Sequence, residues 1–107
     1  MSQEQDIIKQ KVLAFYHSVK TVFPIKKVLL FGSWAKGNPK EWSDIDVAVV
    51  VDEKDHLKRM DIGSALFHYA FPIDPRIEPK TVFYDEYQHP EPASILSEIL
   101  ATGIEIV

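Results

Sequence analysis

The 107-residue chain has no cysteine. That excludes disulfides, thiolate zinc sites, iron–sulfur clusters and a cysteine nucleophile. Long apolar runs are also missing. The longest, residues 47–51, falls far short of the roughly 20 residues a membrane span requires. The N-terminal MSQEQDIIKQK has no apolar secretory core, so the expected setting is the cytoplasm, away from membranes. Positive charge is scarce as well. Twelve Lys and Arg against 16 Asp and Glu give a net charge of −4. A general nucleic-acid binder with a wide basic surface is therefore disfavoured. The four histidines, His17, His56, His68 and His89, have no recognisable metal-ligand spacing. Repeats, low-complexity segments and linkers are absent too.

What is present suffices for a core. Apolar residues make up 46% of the chain, and charged residues 26%. A single domain covering residues 1–107 is expected. Apolar steps of three and four at Ile8, Val12, Phe15, Val19 and Val22 predict a helix over residues 3–23, ending before Pro24. Residues 28–31 read as a short buried strand. Residues 33–37 open a helical turn, and Gly37, Asn38 and Pro39 make a loop. Residues 44–51 form the strongest strand. Ile45, Val47, Val49 and Val51 fall on one face, and Asp44, Asp46, Ala48 and Val50 on the other. Both faces are apolar beyond Asp46, so this strand should be central and covered on both sides.

A second amphipathic helix is expected over residues 54–69, using Leu57, Met60, Ile62, Leu66, Phe67 and Tyr69. Residues 76–83 make a plausible strand, in which Pro79 points to an edge position or a bulge. Residues 84–92 read as a polar loop. Residues 93–101 read as a helix with Ile95, Leu96, Ile99 and Leu100 inward and Gly103 at its left-handed cap. A terminal strand at 104–107 leaves a sheet edge through which a homodimer could form. The alternation implies an α/β (α+β) fold, with helices packed on a small mixed sheet.

The stretch LLFGSWAKGNPKEWSDIDVAVV carries the chemistry. Asp44 and Asp46, two apart on a strand, project from one face as neighbouring carboxylates. Their repulsion is relieved by a divalent cation such as Mg²⁺, which is often held by one or two carboxylates plus substrate phosphates. Gly32 permits close backbone approach to a ligand. Ser33 opens a helical turn whose free N–H groups attract phosphate. Each feature alone has an ordinary alternative: Asp44 as a cap, Asp46 solvated, Ser33 as an N-cap. Together, Gly32–Ser33, ten residues, then Asp44-x-Asp46 place a phosphate cradle and a metal pair at the same end of two strands.

That combination resembles the nucleotidyltransferase superfamily of DNA polymerase β, and in particular the minimal nucleotidyltransferases. The likeness runs through nearly the whole chain. It implies the nucleotidyltransferase fold, and transfer of a nucleoside monophosphate from an NTP, with AMP from ATP expected, to a hydroxyl. It also implies a two-metal Mg²⁺ site, with the ions ~3.5–4 Å apart, and a third carboxylate on the strand after the second long helix. Glu78 takes that position and Asp74 is the other candidate. The ordinary alternative for Glu78 is an ion pair with Arg76 or Lys80. Glu78-Pro79 departs from the more usual Asp followed by an apolar residue. The chain also has Trp34 and Lys36 where many relatives have two arginines. Lys36 keeps a point charge at the nucleotide, while Trp34 either packs on the sheet or stacks on a base. Lys40 and Trp42 fall at the mouth of the site.

The family's fixed-acceptor members carry additional domains. The resemblance therefore implies an acceptor on another protein, such as the helical HEPN-type toxin with which minimal nucleotidyltransferases are often paired as antitoxins. The same residues also suit a nucleotide-binding module that acts on its partner by contact alone.

Overall fold

A computed structural model describes residues 3–40 and 42–107. The chain runs α1 (Gln3–Val19), β1 (Ile25–Phe31), α2 (Ser33–Lys36), β2 (Ile45–Val51), α3 (Arg59–Ala70), β3 (Ile77–Phe83), α4 (Tyr84–Gln88), α5 (Ile95–Thr102) and β4 (Ile104–Glu105). The sheet order is β3-β2-β1-β4. β1 is antiparallel to β2 and to β4, while β2 and β3 are parallel through the α3 crossover. This is the small mixed sheet that the alternation implied.

The period-two pattern of β2 decides the layering. Ile45, Val47, Val49 and Val51 face one way and meet Ile8, Val12 and Phe15 of α1 and Ile62, Leu66 and Ala70 of α3. Ala48 and Val50 face the other way and meet Leu29, Val82 and Ile99, with Tyr84, Tyr87, Leu96 and Leu100 packed around them. Both faces of the central strand are thus covered, as its sequence requires. Each fully buried Val, Leu or Ile contributes about 1.5–3 kcal/mol.

Some boundaries differ from the periodicity. α1 stops at Val19, and a turn carries the chain to Pro24, leaving Val22 46% exposed. β1 begins three residues earlier than its apolar run, because Ile25 and Lys27 already pair with β2. The segment before α3 starts as a 3-10 turn, His56–Lys58, capped by the Asp55 carboxylate on the Leu57 N–H. Leu57 and Met60 therefore fall on the solvent side, 92% and 83% exposed, and the buried stripe is Ile62, Leu66 and Ala70. The expected polar loop at 84–92 holds a short helix, because Glu86 accepts the Phe83 N–H at 3.0 Å and closes its first turn. α5 begins at Ile95, capped by the Ser94 hydroxyl on Ser97 N–H, and Ile95 itself is exposed.

Gly103 is not left-handed; its φ is −72°. Glycine is needed there for space, since a Cβ would lie 2.5 Å from the Ile99 carbonyl oxygen. Pro79 sits on an edge strand, in register with Val47. In β3, alternate residues turn their backbone groups away from β2. Pro79 shares the outward parity of Thr81 and Phe83, so its missing N–H costs no ladder bond. Arg59 Nη1 donates to the outward Thr81 carbonyl at 2.8 Å, and Glu86 takes the Phe83 N–H. Side chains thus satisfy much of the open edge.

Candidate active site

The site is built by cross-strand register. Phe31 of β1 pairs with Asp46 of β2, and Asp46 with Glu78 of β3. The three form a row across one sheet face, the face that α4 and α5 cover farther along. The next row is Leu29, Ala48 and Lys80. Asp44 lies just before β2, on the same parity as Asp46. Asp44 is exposed and Asp46 half-buried.

β1 ends against this row in a strained glycine. Gly32 has φ 74° and ψ −153°, a conformation essentially confined to glycine. A Cβ on Gly32 would lie 2.3 Å from Asp46 Oδ2. The backbone therefore touches the carboxylate, and only a residue without a side chain allows it. Gly32, rather than Ser33, occupies the cap of α2, and no side chain caps this helix. Ser33 is the first helical residue, half-buried beside the cap.

The electrostatics follow from three neighbouring carboxylates. Burial first, then the negative charge of Asp44, raises the pKa of Asp46. Glu78 is raised chiefly by a hydrogen bond with Asp44, then by burial and by the charges of Asp44 and Asp46. Among the described residues Glu78 forms no ion pair with Arg76 or Lys80, because Arg76 is committed elsewhere. Asp74 is the committed partner. It is 5% exposed, accepts from Arg76 Nε at 3.1 Å and Nη2 at 2.7 Å, and accepts from Lys11 of α1 at 2.8 Å. These cations hold its carboxyl far below the usual range. The structure thus groups Glu78, not Asp74, with Asp44 and Asp46.

The donor set is all oxygen, which suits a hard divalent cation. As the side chains stand, among the described residues no three His, Cys, Asp or Glu groups converge closely enough to hold an ion unaided. Magnesium does not ask for that. One or two carboxylates completed by substrate phosphates is its usual arrangement, and Asp44 and Asp46 fit it.

A family model described as polymerase beta nucleotidyltransferase matches residues 15–107. The chain belongs to this family. A putative protein adenylyltransferase, MJ0141 of Methanocaldococcus jannaschii, is 34% identical over 94 residues, covering 78% of this chain and 91% of the relative. The fold is also similar to that in a crystal structure of a toxin–antitoxin with AMP-PNP. There the TM-score is 0.54 at 20% identity, over 92% of this chain and 72% of that one. A mutant of the toxin–antitoxin MntA–HpeT gives 0.53 at 19% identity, over the same shares of the two chains.

Within this polymerase beta-type domain the remaining residues take unequal places. Lys36, at the end of α2, lies 3.8 Å from Glu98 of α5, both well exposed. That pair is worth little in water and leaves the ammonium free to change partners. Trp34 is buried at 5% exposure in the core, donates to the Ser43 carbonyl at 3.3 Å, and has the Arg76 guanidinium 5.8 Å over its ring. It is a packing residue. Trp42 is 79% exposed, beside Asp44. Phe31 was not singled out in the sequence, yet it walls the carboxylate row. A cleft of about 280 Å³ is lined by Phe31, Asp46, Phe67, Glu78, Pro79 and Lys80. Lys80 follows from the same parity as Glu78, and that alternation was the available signal. Among the histidines, His56 stacks on Phe83 and pairs with Asp85 at 3.0 Å, at the other end of β3 from the carboxylates.

Proposed function

We propose that this chain is a Mg²⁺-dependent nucleotidyltransferase that moves AMP from ATP to a hydroxyl on a partner protein. The observation that carries the reading is the Gly32 backbone pressed on Asp46, in register with Glu78. That juxtaposition brings the α2 turn and the carboxylates to one spot. Ser33 and the N–H groups opening α2 position the β- and γ-phosphates, and Lys36 adds charge on that side. Asp44 and Asp46 would hold magnesium, with Glu78 beside them on the acceptor side. When bound, the ion would supply charge neutralisation and favour the ionised acceptor. The acceptor oxygen bonds to the α-phosphorus and its proton leaves toward Glu78. The bond to the bridging oxygen breaks, and pyrophosphate departs. Positioning and electrostatic stabilisation provide most of the acceleration.

The relative described as a protein adenylyltransferase supports a protein acceptor, and the toxin–antitoxin neighbours support a toxin–antitoxin pairing; a helical HEPN-type toxin as the partner, with this chain as antitoxin, is the form of that pairing we propose. One observation favours a second reading, a nucleotide-binding module acting by contact. It is Trp34, buried where many relatives of the family have an arginine that could reach phosphate.

Thermal stability with Mg²⁺ and each NTP tests the site. Ligand at ~100 times its Kd stabilises by roughly 2.7 kcal/mol. A Mg²⁺-dependent shift with ATP, lost in Asp44→Asn/Asp46→Asn, is expected. Transfer is then read as label from α-labelled ATP on the protein encoded beside this chain. Binding without any transfer to that partner would place the contact module first.

A further inference from the structure

We propose that Trp42 and Lys40 form the subsite for the nucleotide's base, with the Trp42 indole stacked on the purine ring. This rests on the nucleotidyltransferase reading. A shallow groove of about 510 Å³ is lined by Lys40, Trp42, Ser43 and Asp44. It starts at Asp44, a carboxylate of the proposed reacting centre. Trp42 is 79% exposed, although an indole is among the costliest side chains to leave in water.

The turn beneath it is held at both ends. Ser43 N–H donates to the Lys40 carbonyl at 3.0 Å, and Lys40 N–H to the Ser43 hydroxyl at 2.7 Å. Buried Trp34 fastens the same turn through the Ser43 carbonyl. Lys40 and Ser43 are thus tied to each other, and Ser43 to the core, beside the exposed indole. The groove meets the site at Asp44, the residue just before β2. Trp34, the other tryptophan, is buried and offers no face to a base. Stacking on Trp42 is tolerant of base identity but favours the larger purines, and Lys40 supplies a cation beside the ribose and phosphates.

The experiment compares MgATP with Mg²⁺-tripolyphosphate, which carries the phosphates without a base. Proteins are the full chain, Trp42→Ala and Trp42→Phe, read by titration and by tryptophan emission. The wild type is expected to bind ATP more tightly than tripolyphosphate, with quenching of long-wavelength emission by ATP alone. Trp42→Ala should bind ATP about 5- to 150-fold more weakly. It should bind tripolyphosphate as before and melt at the wild-type temperature. Trp42→Phe should recover most of the loss. Equal ATP binding by wild type and Trp42→Ala overturns the subsite and leaves the nucleotidyltransferase reading standing. A wild type that binds tripolyphosphate as well as ATP overturns it too. A wild type that binds neither ligand overturns both.

Discussion

At the scale of single residues, Gly32 is constrained twice over. Its φ is left-handed, and the space a Cβ needs is taken by Asp46 Oδ2. Gly32→Ala must therefore push the carboxylate out of its place, besides paying about 1–3 kcal/mol of backbone strain. We expect a domain that still folds but shows at least a hundredfold lower transfer and no ATP-dependent thermal shift. Activity near wild type in folded Gly32→Ala would show that Asp46 need not touch the turn. Thr81 is the opposite case. Its hydroxyl is buried beneath Gly63 of α3 and has no hydrogen-bond partner among the described residues. An unpaired buried hydroxyl costs about 1–3 kcal/mol. Thr81→Val keeps the shape, so a gain of about 1 kcal/mol in urea denaturation is expected, with activity unchanged.

Elements show where the sequence is legible and where it is not. β2 was readable because both its faces are set by a period of two, and Asp46 breaks the apolar pattern at one definite place. Glu78 was reached through the family resemblance, which asked for a carboxylate on this strand, with Asp74 as the other candidate. Leu57 and Met60 misled, because helical spacing gives a periodicity but not its phase. The 3-10 turn at His56–Lys58 shifts that phase and turns both outward. Gly103 misled because glycine serves space as well as left-handed backbone. The Asp74 carboxylate could not be assigned from sequence, since its partner Lys11 is 63 residues away. In the fold it ties α1 to the loop before β3, and through Arg76 and Trp34 to α2.

That tie has a pH signature. The Asp74 carboxyl is depressed when folded, so its stabilisation is complete above its unfolded value of ~4 and is lost as pH falls below that. Asp74→Asn should cost about 2–3 kcal/mol at neutral pH, less than a fully buried pair because Lys11 and Arg76 keep some solvent. The gap between wild type and variant should begin to narrow below about pH 4 and keep narrowing as the pH is taken well below 3. A gap that stays unchanged from about pH 5 down to about pH 2 would mean that the ionised carboxylate is not what Asp74 contributes.

The whole molecule is small enough that each layer counts. A domain of this length has about 5–15 kcal/mol of stability in all. The family match begins at residue 15, yet the first half of α1 belongs to the core. Ile8 is 2% exposed and Val12 0%, and both lie on the sheet face that carries Ile45 and Val47. Their burial alone contributes about 3–6 kcal/mol. The same half-helix supplies Lys11 to Asp74 and Gln5 to the Trp34 carbonyl, at 2.8 Å each. Removing residues 3–14 would uncover the part of one sheet face that α1 shares with α3 and release the braces behind α2 and β3 together. The truncated chain should therefore lose cooperative thermal unfolding by circular dichroism, and with it the Mg²⁺–ATP shift. If it melts cooperatively and still binds ATP, α1 is an accessory layer, and the remaining sheet and helices hold the carboxylate row by themselves.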